Sequence, residues 1–298
     1  MKSVYTNIES PIVYSDGAVS TPLPIDFNQQ PIIRIRDAEG VVAAIQLASM
    51  HNILHIPYFP FTRSDHPPHS DLSAFIKSLD AQRRGTPLTI VTYDPHSEAL
   101  SLLIEQSRNL ELYVREQDLY NNISHFITKL PNLTKRQRPI LVSTARYIEF
   151  FQKAGDFNKR FSGYIACPKF LHHPLPSQDP YGFLLKPDTH FVVVDDIADT
   201  GRTAVEIAKE LKIPAERLSL YVSHGIFSEG TDELFEHYST IATTNSFIQP
   251  EESPSKDLIF YALYDTEVSD SSSEEQEPKD TEETEGVPPQ EEDVSNGE

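Results

Sequence analysis

The chain has 298 residues, with 25 Lys+Arg against 45 Asp+Glu and a formal net charge of −20. At about 100–200 residues per domain that length suggests two domains. So acidic a chain is excluded as a general nucleic-acid binder, which needs basic surface to neutralise phosphates.

No apolar run reaches the roughly 20 residues of a membrane helix, and the N-terminus MKSVYTNIES lacks an apolar signal core. A single cysteine, Cys167, cannot close an internal disulfide, and no Cys/His cluster has zinc-site spacing. The expectation is a soluble cytoplasmic protein with neither nucleic-acid nor membrane partners.

In chain order, Ile32–Arg36 reads as a strand, Ala38–His51 as a helix and Ile53–Tyr58 as a strand. A polar, turn-rich loop, FPFTRSDHPPHSD, follows. Asp71 reads as the cap of a helix running to Arg84. Leu88–Tyr93 is β-branched and apolar, Glu98–Arg108 helical, Glu111–Val114 a strand and Gln117–Lys129 a helix. The polar break PNLTKRQR at 131–138 sets a domain boundary, with one α/β domain over 1–133 and a second over 134–265.

In the second half, Pro139–Val142, Phe161–Ala166, Phe191–Val194, Arg217–Val222 and Leu258–Tyr264 read as strands, and Ala145–Ala154 as a helix. The Pro- and His-rich stretch 168–189 is too long for an ordinary connector, which marks it as functional or mobile. Phe191–Val194 is apolar throughout, like a strand buried on both faces. Ala204, Ile207, Ala208 and Leu211 recur at i, i+3, i+4, i+7, one face of a helix. Alternating strands and helices with buried strands mean parallel sheets flanked by helices. Residues 266–298 hold thirteen acidic residues and one Lys, with Val268, Val287 and Val294 as their only residues among Ala, Val, Ile, Leu, Met, Phe, Trp, Tyr and Cys. That tail is expected to be disordered, because it buries too little surface to offset chain entropy.

The segment FVVVDDIADTGRTAVEIAKEL, residues 191–211, is the most informative. A buried strand ends at Asp195-Asp196, and an amphipathic helix begins near Thr203. Ligands of open parallel sheets bind beyond the carboxyl ends of the strands, and N–H groups at the following helix start hold phosphate. Gly201 permits positive φ and close approach of the main chain. Thr200 and Thr203 add hydroxyls. As neighbours on a strand, Asp195 and Asp196 leave opposite faces unless the strand has begun to turn. They can accept hydrogen bonds from sugar hydroxyls or attract Mg²⁺.

This pattern, apolar strand, Asp-Asp, two residues, Asp-Thr-Gly-x-Thr, resembles the phosphoribosyl-diphosphate motif of type I phosphoribosyltransferases and ribose-phosphate diphosphokinases. Four further segments are similar to the diphosphokinases in particular. They are Tyr14-Ser15-Asp16-Gly17, Ile56-Pro57-Tyr58-Phe59-Pro60-Phe61-Thr62-Arg63-Ser64-Asp65, Tyr93-Asp94-Pro95-His96 and Ser223-His224-Gly225-Ile226-Phe227-Ser228. The resemblance implies two phosphoribosyltransferase-like α/β domains, the first on the ATP side and the second binding the phosphoribosyl group. It implies transfer of the β,γ-diphosphoryl group of ATP, with Mg²⁺, to the anomeric hydroxyl of a ribose 5-phosphate moiety, releasing AMP.

The same resemblance implies roles for single residues. Arg63, Lys169 and His96 are the catalytic set, with Tyr14, Asp16, Arg63, Asp65 and His96 on ATP. Asp195, Asp196, Asp199, Thr200, Gly201, Arg202 and Thr203 bind the sugar phosphate, and His96 and Asp195 the metal. It further implies a homo-oligomer, dimer to hexamer, in which Tyr14 and Asp16 serve a neighbour's site.

The departures are specific. Asp16-Gly17-Ala18 lacks the family's Glu. Lys169 is followed by Phe170 and Leu171, then His172 and His173, without the family's Arg two residues on. Ser143-Thr144-Ala145-Arg146 replaces Pro-Asp-x-Gly-Gly, which puts a second metal contact in doubt. Arg202 replaces a Gly in the phosphate loop. The last two changes motivate a larger, 5-substituted acceptor such as ADP-ribose, which would connect the chain to NAD metabolism. Two other readings stay open, a phosphoribosyltransferase and a catalytically inactive regulatory paralogue.

Overall fold

The computed structural model describes residues 2–20, 29–63, 70–83, 85–131, 133, 138–155, 157–167 and 188–264. Asp65, Lys169, His172, His173, nearly all of the 168–189 segment and the acidic tail expected at 266–298 lie outside the described residues. Residues 1–265 form one compact unit. It is α/β, with two sheets, one from each half of the sequence.

The first sheet has the order β1-β2-β3-β4-β5. Its strands are β1 (Val4–Thr6), β2 (Ile32–Arg34), β3 (Ile53–His55), β4 (Leu88–Thr92) and β5 (Leu110–Val114). Only β1 runs antiparallel, against β2; the others are parallel. Helices α1 (Ala38–Met50), α2 (Ser70–Ala81) and α3 (Ala99–Glu105) bury Ala43, Leu47, Leu72, Phe75, Leu100 and Ile104 against Ile33, Leu54 and Ile90 of this sheet. Asp37 caps α1, its carboxylate accepting from the Gly40 N–H at 2.9 Å.

Asp71 is not the cap of α2. The helix already includes Ser70 and ends at Ala81, so Asp71 sits in the first turn, where a carboxylate still complements the helix dipole.

The second sheet has six strands, all parallel, in the order β11-β10-β9-β8-β6-β7. They are β6 (Ile140–Ser143), β7 (Gly163–Ala166), β8 (Phe191–Ala198), β9 (Leu218–Gly225), β10 (Thr240–Thr244) and β11 (Ile259–Tyr261). The helices of this half are α5 (Ala145–Lys153), α6 (Phe157–Arg160), α7 (Arg202–Leu211) and α8 (Asp232–His237), and α4 (Glu116–Lys129) precedes them.

Side chains alternate across a strand with period two, and β8 shows what that does to an all-apolar run. Phe191 and Val193 join a core with Ala204, Ile207, Leu211 and Leu234 from α7 and α8. Val192 and Val194 join a second core with Leu119, Ile123 and Phe126 of α4 and Tyr147 and Phe151 of α5. Both faces of the strand are therefore covered, as a parallel sheet requires. Although α4 precedes the 131–138 break, it packs on the second sheet.

The first sheet is tied to the second half through its other face. The buried Arg34 Nε donates to the Asn245 carbonyl at 2.5 Å, and His55 Nδ1 meets the Tyr264 hydroxyl at 3.0 Å. Arg36 donates to Glu252 Oε1 and Oε2 at 2.8 and 2.7 Å. No helix among the described residues is long and apolar enough to cross a membrane.

Candidate active site

The strand β8 does not stop at the carboxylates; it continues through Asp195 and Asp196 to Ala198. The reason is its partner. Asp195 pairs with Val222, Ile197 with His224 and Ala198 with Gly225, so β9 holds β8 in register to its end. The chain then turns into α7 at Gly201, whose φ is +78°. A Cβ at Gly201 would lie 3.1 Å from the Leu234 side chain, so both backbone and space favour glycine there.

The turn after β9 braces this loop. Ile226 and Phe227 N–H donate to the Ala198 carbonyl at 2.8 and 3.0 Å, and the Ser228 N–H donates to that of Asp199 at 2.9 Å. At the start of α7 the first N–H groups have no intrahelical partner. Among the described residues, the Arg202 N–H makes only a long 3.4 Å contact, with Thr200 Oγ1. A helix start of this kind, entered through a tight glycine turn, binds an anion through N–H groups and the helix dipole.

A cleft of about 800 Å³ opens on this loop. It is lined by Asp195, Asp196, Asp199, Thr200, Gly201, Arg202 and Thr203, with Ser143, Thr144 and Cys167 of the second half and Arg63 and His96 of the first. Nine of the catalytic and binding residues expected from the sequence thus line one cleft. Tyr14 and Asp16 do not join them. They sit on a hairpin closed by a Val13–Val19 bridge, where Tyr14 is exposed and the Asp16 carboxylate accepts from the Ala18 N–H at 3.0 Å.

Two of the polar contacts that join the first half to the second lie between residues lining this cleft. Arg63 Nη1 lies 2.5 Å from Asp199 Oδ2, and His96 Nδ1 lies 2.6 Å from Asp196 Oδ2. The Ser228 hydroxyl, and Arg63 against some desolvation, hold the Asp199 carboxyl below the usual carboxylate range. Burial by itself raises the Asp196 carboxyl, but the His96 hydrogen bond and the Arg146 charge outweigh it and hold the group well below that range. Asp195 goes the other way. Burial, then the charge and hydrogen bond of Asp196, push its carboxyl far up. The opposite directions follow from the placement of His96 and Arg146, which face Asp196 and leave the adjacent carboxylate less compensated. Burial first, then Asp195, also pushes the Cys167 thiol up to about 12, which keeps it a neutral thiol.

Sequence reasoning missed the buried support of His96. Asp94 lies in the same turn, with a φ of +42° and only 4 % exposure. Its Oδ1 accepts from Arg146 Nη2 at 2.7 Å, its Oδ2 from the hydroxyls of Tyr147 and Ser223, and its carbonyl meets His224 Nε2 at 3.0 Å. Burial lowers the His224 pKa, which favours the neutral ring with Nε2–H donating to that carbonyl. The Asp-Pro dipeptide before His96 was the available signal, since Asp tolerates positive φ.

No family model matches the chain. It is 32 % identical over 165 residues to a protein named ribose-phosphate pyrophosphokinase 4 from Arabidopsis thaliana, over 52 % of this chain and 43 % of that one. It is 51 % identical over 51 residues to a ribose-phosphate pyrophosphokinase of Mycoplasmopsis pulmonis (strain UAB CTIP), over 17 % of this chain and 16 % of that one. The chain thus spans less than half the length of these curated relatives.

Its fold is similar to the crystal structure of phosphoribosylpyrophosphate synthetase from Mycobacterium smegmatis, with a TM-score of 0.60, 14 % identity and 85 % of each chain covered. Part of the sequence is thus similar to ribose-phosphate pyrophosphokinases, and the two parallel-rich sheets have the fold of the phosphoribosylpyrophosphate synthetase structure.

Proposed function

We propose that the chain is a ribose-phosphate diphosphokinase, moving the β,γ-diphosphoryl group of ATP to the anomeric hydroxyl of a ribose 5-phosphate moiety. One observation carries this reading. The carboxylate pair and phosphate-type loop of the second half face Arg63 and His96 of the first across a single cleft. An acceptor site alone would need only the second half.

In this reading the 5-phosphate lies on the N–H groups and hydroxyls of residues 199–203, and the sugar 2- and 3-hydroxyls donate to Asp195 and Asp196. The anomeric oxygen attacks the β-phosphorus of ATP, the bond between that phosphorus and the α,β-bridging oxygen breaks, and AMP leaves with the oxygen. Such chemistry is mostly positioning and charge neutralisation. Arg63 releases Asp199 and turns its planar fork to the ATP phosphates. Lys169 adds a second cation, and Asp65 belongs to the ATP side. Tyr14 and Asp16, on their exposed hairpin, serve the adenine of a neighbouring subunit in a homo-oligomer. The two halves, 1–133 and 134–265, act as the ATP-side and phosphoribosyl-binding domains.

Magnesium fits the residues present. Among the described residues no group of three or more His, Cys, Asp or Glu side chains is arranged to hold a metal ion. Mg²⁺ needs no such cage, since it binds through one or two carboxylates, water and substrate phosphates. Asp195 lines the cleft and offers carboxylate oxygens, the ligand type that Mg²⁺ prefers. Asp195 and His96 would hold the ion, which when bound neutralises charge on the phosphate oxygens.

The acceptor divides into free ribose 5-phosphate and a 5-substituted ribose phosphate such as ADP-ribose. Arg202, exposed on the rim of the cleft, favours the larger anion. The test is incubation with ATP, Mg²⁺ and each acceptor, following AMP by chromatography. AMP with either acceptor supports the diphosphokinase, and faster release with ADP-ribose supports the larger one. Release from neither, or diphosphate release from phosphoribosyl diphosphate and a base without ATP, overturns the reading.

A further inference from the structure

Arg146 stands where the resembled family carries Pro-Asp-x-Gly-Gly, and its contacts are those of a site residue. Nη1 donates to the Pro95 carbonyl at 2.6 Å, and Nη2 donates to Asp94 Oδ1 at 2.7 Å and to the Tyr147 hydroxyl at 2.8 Å. The same Nη2 lies 3.6 Å from Asp196 Oδ2. One guanidinium therefore grips both residues that precede His96 and also faces the carboxylate that His96 engages at 2.6 Å.

The surroundings make that grip rigid. Asp94 is buried, and its second carboxylate oxygen is taken by the hydroxyls of Tyr147 and Ser223. Tyr147 is buried in the core beneath α5, so the turn from Tyr93 to His96 is pinned from one side by β9 and from the other by Arg146. A planar guanidinium with donors in a fixed fork suits this role, and a Lys could supply the charge but not the fork.

We propose that Arg146 is a positioning residue and a resident counter-cation. It fixes the His96 turn against Asp196, and its charge stands where a second bound cation would otherwise be needed. The site then takes at most one divalent ion from solution, on the Asp195 side. This proposal rests on the diphosphokinase reading of the cleft.

The experiment measures Mg²⁺ binding to the full chain by calorimetry, without substrate, in the wild type, Arg146→Met and Arg146→Lys, alongside kcat and KM for AMP release. Removing a positive charge next to a carboxylate pair should tighten Mg²⁺ binding by about tenfold or more in Arg146→Met. Arg146→Lys should bind Mg²⁺ like the wild type. Loss of the fork should lower kcat on the order of 100-fold in Arg146→Met, with KM for ATP little changed, and Arg146→Lys should restore part of it.

A folded Arg146→Met with unchanged or weaker Mg²⁺ binding, or with unchanged kcat, overturns the proposal. So does failure of both variants to fold, which would make Arg146 a purely structural residue. If the wild type releases no AMP, the diphosphokinase reading fails, and the calorimetric comparison still decides whether Arg146 is the counter-cation.

Discussion

His96 and Asp196 are 100 residues apart in sequence and joined by a 2.6 Å hydrogen bond. The histidine follows β4 of the first sheet, and the carboxylate lies within β8 of the second. The bond therefore closes the cleft from both halves, and it is one of the interactions that keep a buried carboxylate ionised. His96→Ala removes that donor from Asp196. Steady-state assays of AMP release should show kcat lower by about 100-fold or more if His96 acts on the transferring group. A kcat within about twofold of wild type would remove His96 from the catalytic set.

Gly201 separates backbone demands from chemistry. With a φ of +78° and the Leu234 side chain 3.1 Å from where a Cβ would stand, Gly201→Ala is strained whatever the ligand. The left-handed conformation alone costs about 1–2 kcal/mol for a residue with a Cβ. Chemical denaturation should show that loss, and ribose 5-phosphate binding should weaken with it. Unchanged stability would mean that the loop relaxes without strain.

The Arg63–Asp199 pair predicts the opposite split. The Arg63 side chain is half exposed, at 52 %, so the 2.5 Å contact adds little to stability. Exposed pairs contribute about 0–1 kcal/mol. Arg63→Ala should therefore leave the denaturation midpoint almost unchanged and raise KM for ATP or lower kcat substantially. A large loss of stability with normal kinetics would make the pair a structural clasp.

Buried histidines set an acid limit on the fold. Burial, aided by Arg217, lowers the His190 pKa to about 4 from 6.5, and His190 Nε2 meets Ser219 Oγ at 2.9 Å. A folded pKa below the unfolded value means the contribution is complete above pH 6.5. It is lost as the pH falls toward about 4, because the unfolded chain then binds the extra proton. The size is on the order of 3 kcal/mol. His55, lowered to about 4 by burial and then Arg115, acts in the same window. Urea midpoints at about pH 7.5 and about pH 4.5 should differ less in His190→Phe than in the wild type. An equal drop in both would assign the acid sensitivity to other groups.

The phosphate-type loop is legible in the sequence because all its parts are neighbours there: a buried strand, two carboxylates, Gly201 and the apolar face of α7. The end of β8 is not, for a physical reason. Carboxylates normally mark the end of burial, whereas here β9 keeps pairing through Gly225 and carries the strand past them. The strand β10 escapes recognition because TIATT offers one aliphatic branched residue among threonines, yet every position is buried. The helix α8 has six residues, too few to show a period. Apolar spacing reveals α4 as a helix but cannot say that it packs on the second sheet. Asp94 and Arg146 are invisible as a pair, since only the folded chain brings residues 52 positions apart into a 2.7 Å contact.

The most direct measurement is a crystal structure of the full chain with AMP and ribose 5-phosphate. The sugar phosphate should lie within hydrogen-bond reach of the N–H groups of residues 200–203, with its hydroxyls on Asp195 and Asp196 and the nucleotide phosphate near Arg63. Both ligands bound elsewhere, with this loop empty, would contradict the assignment of the cleft.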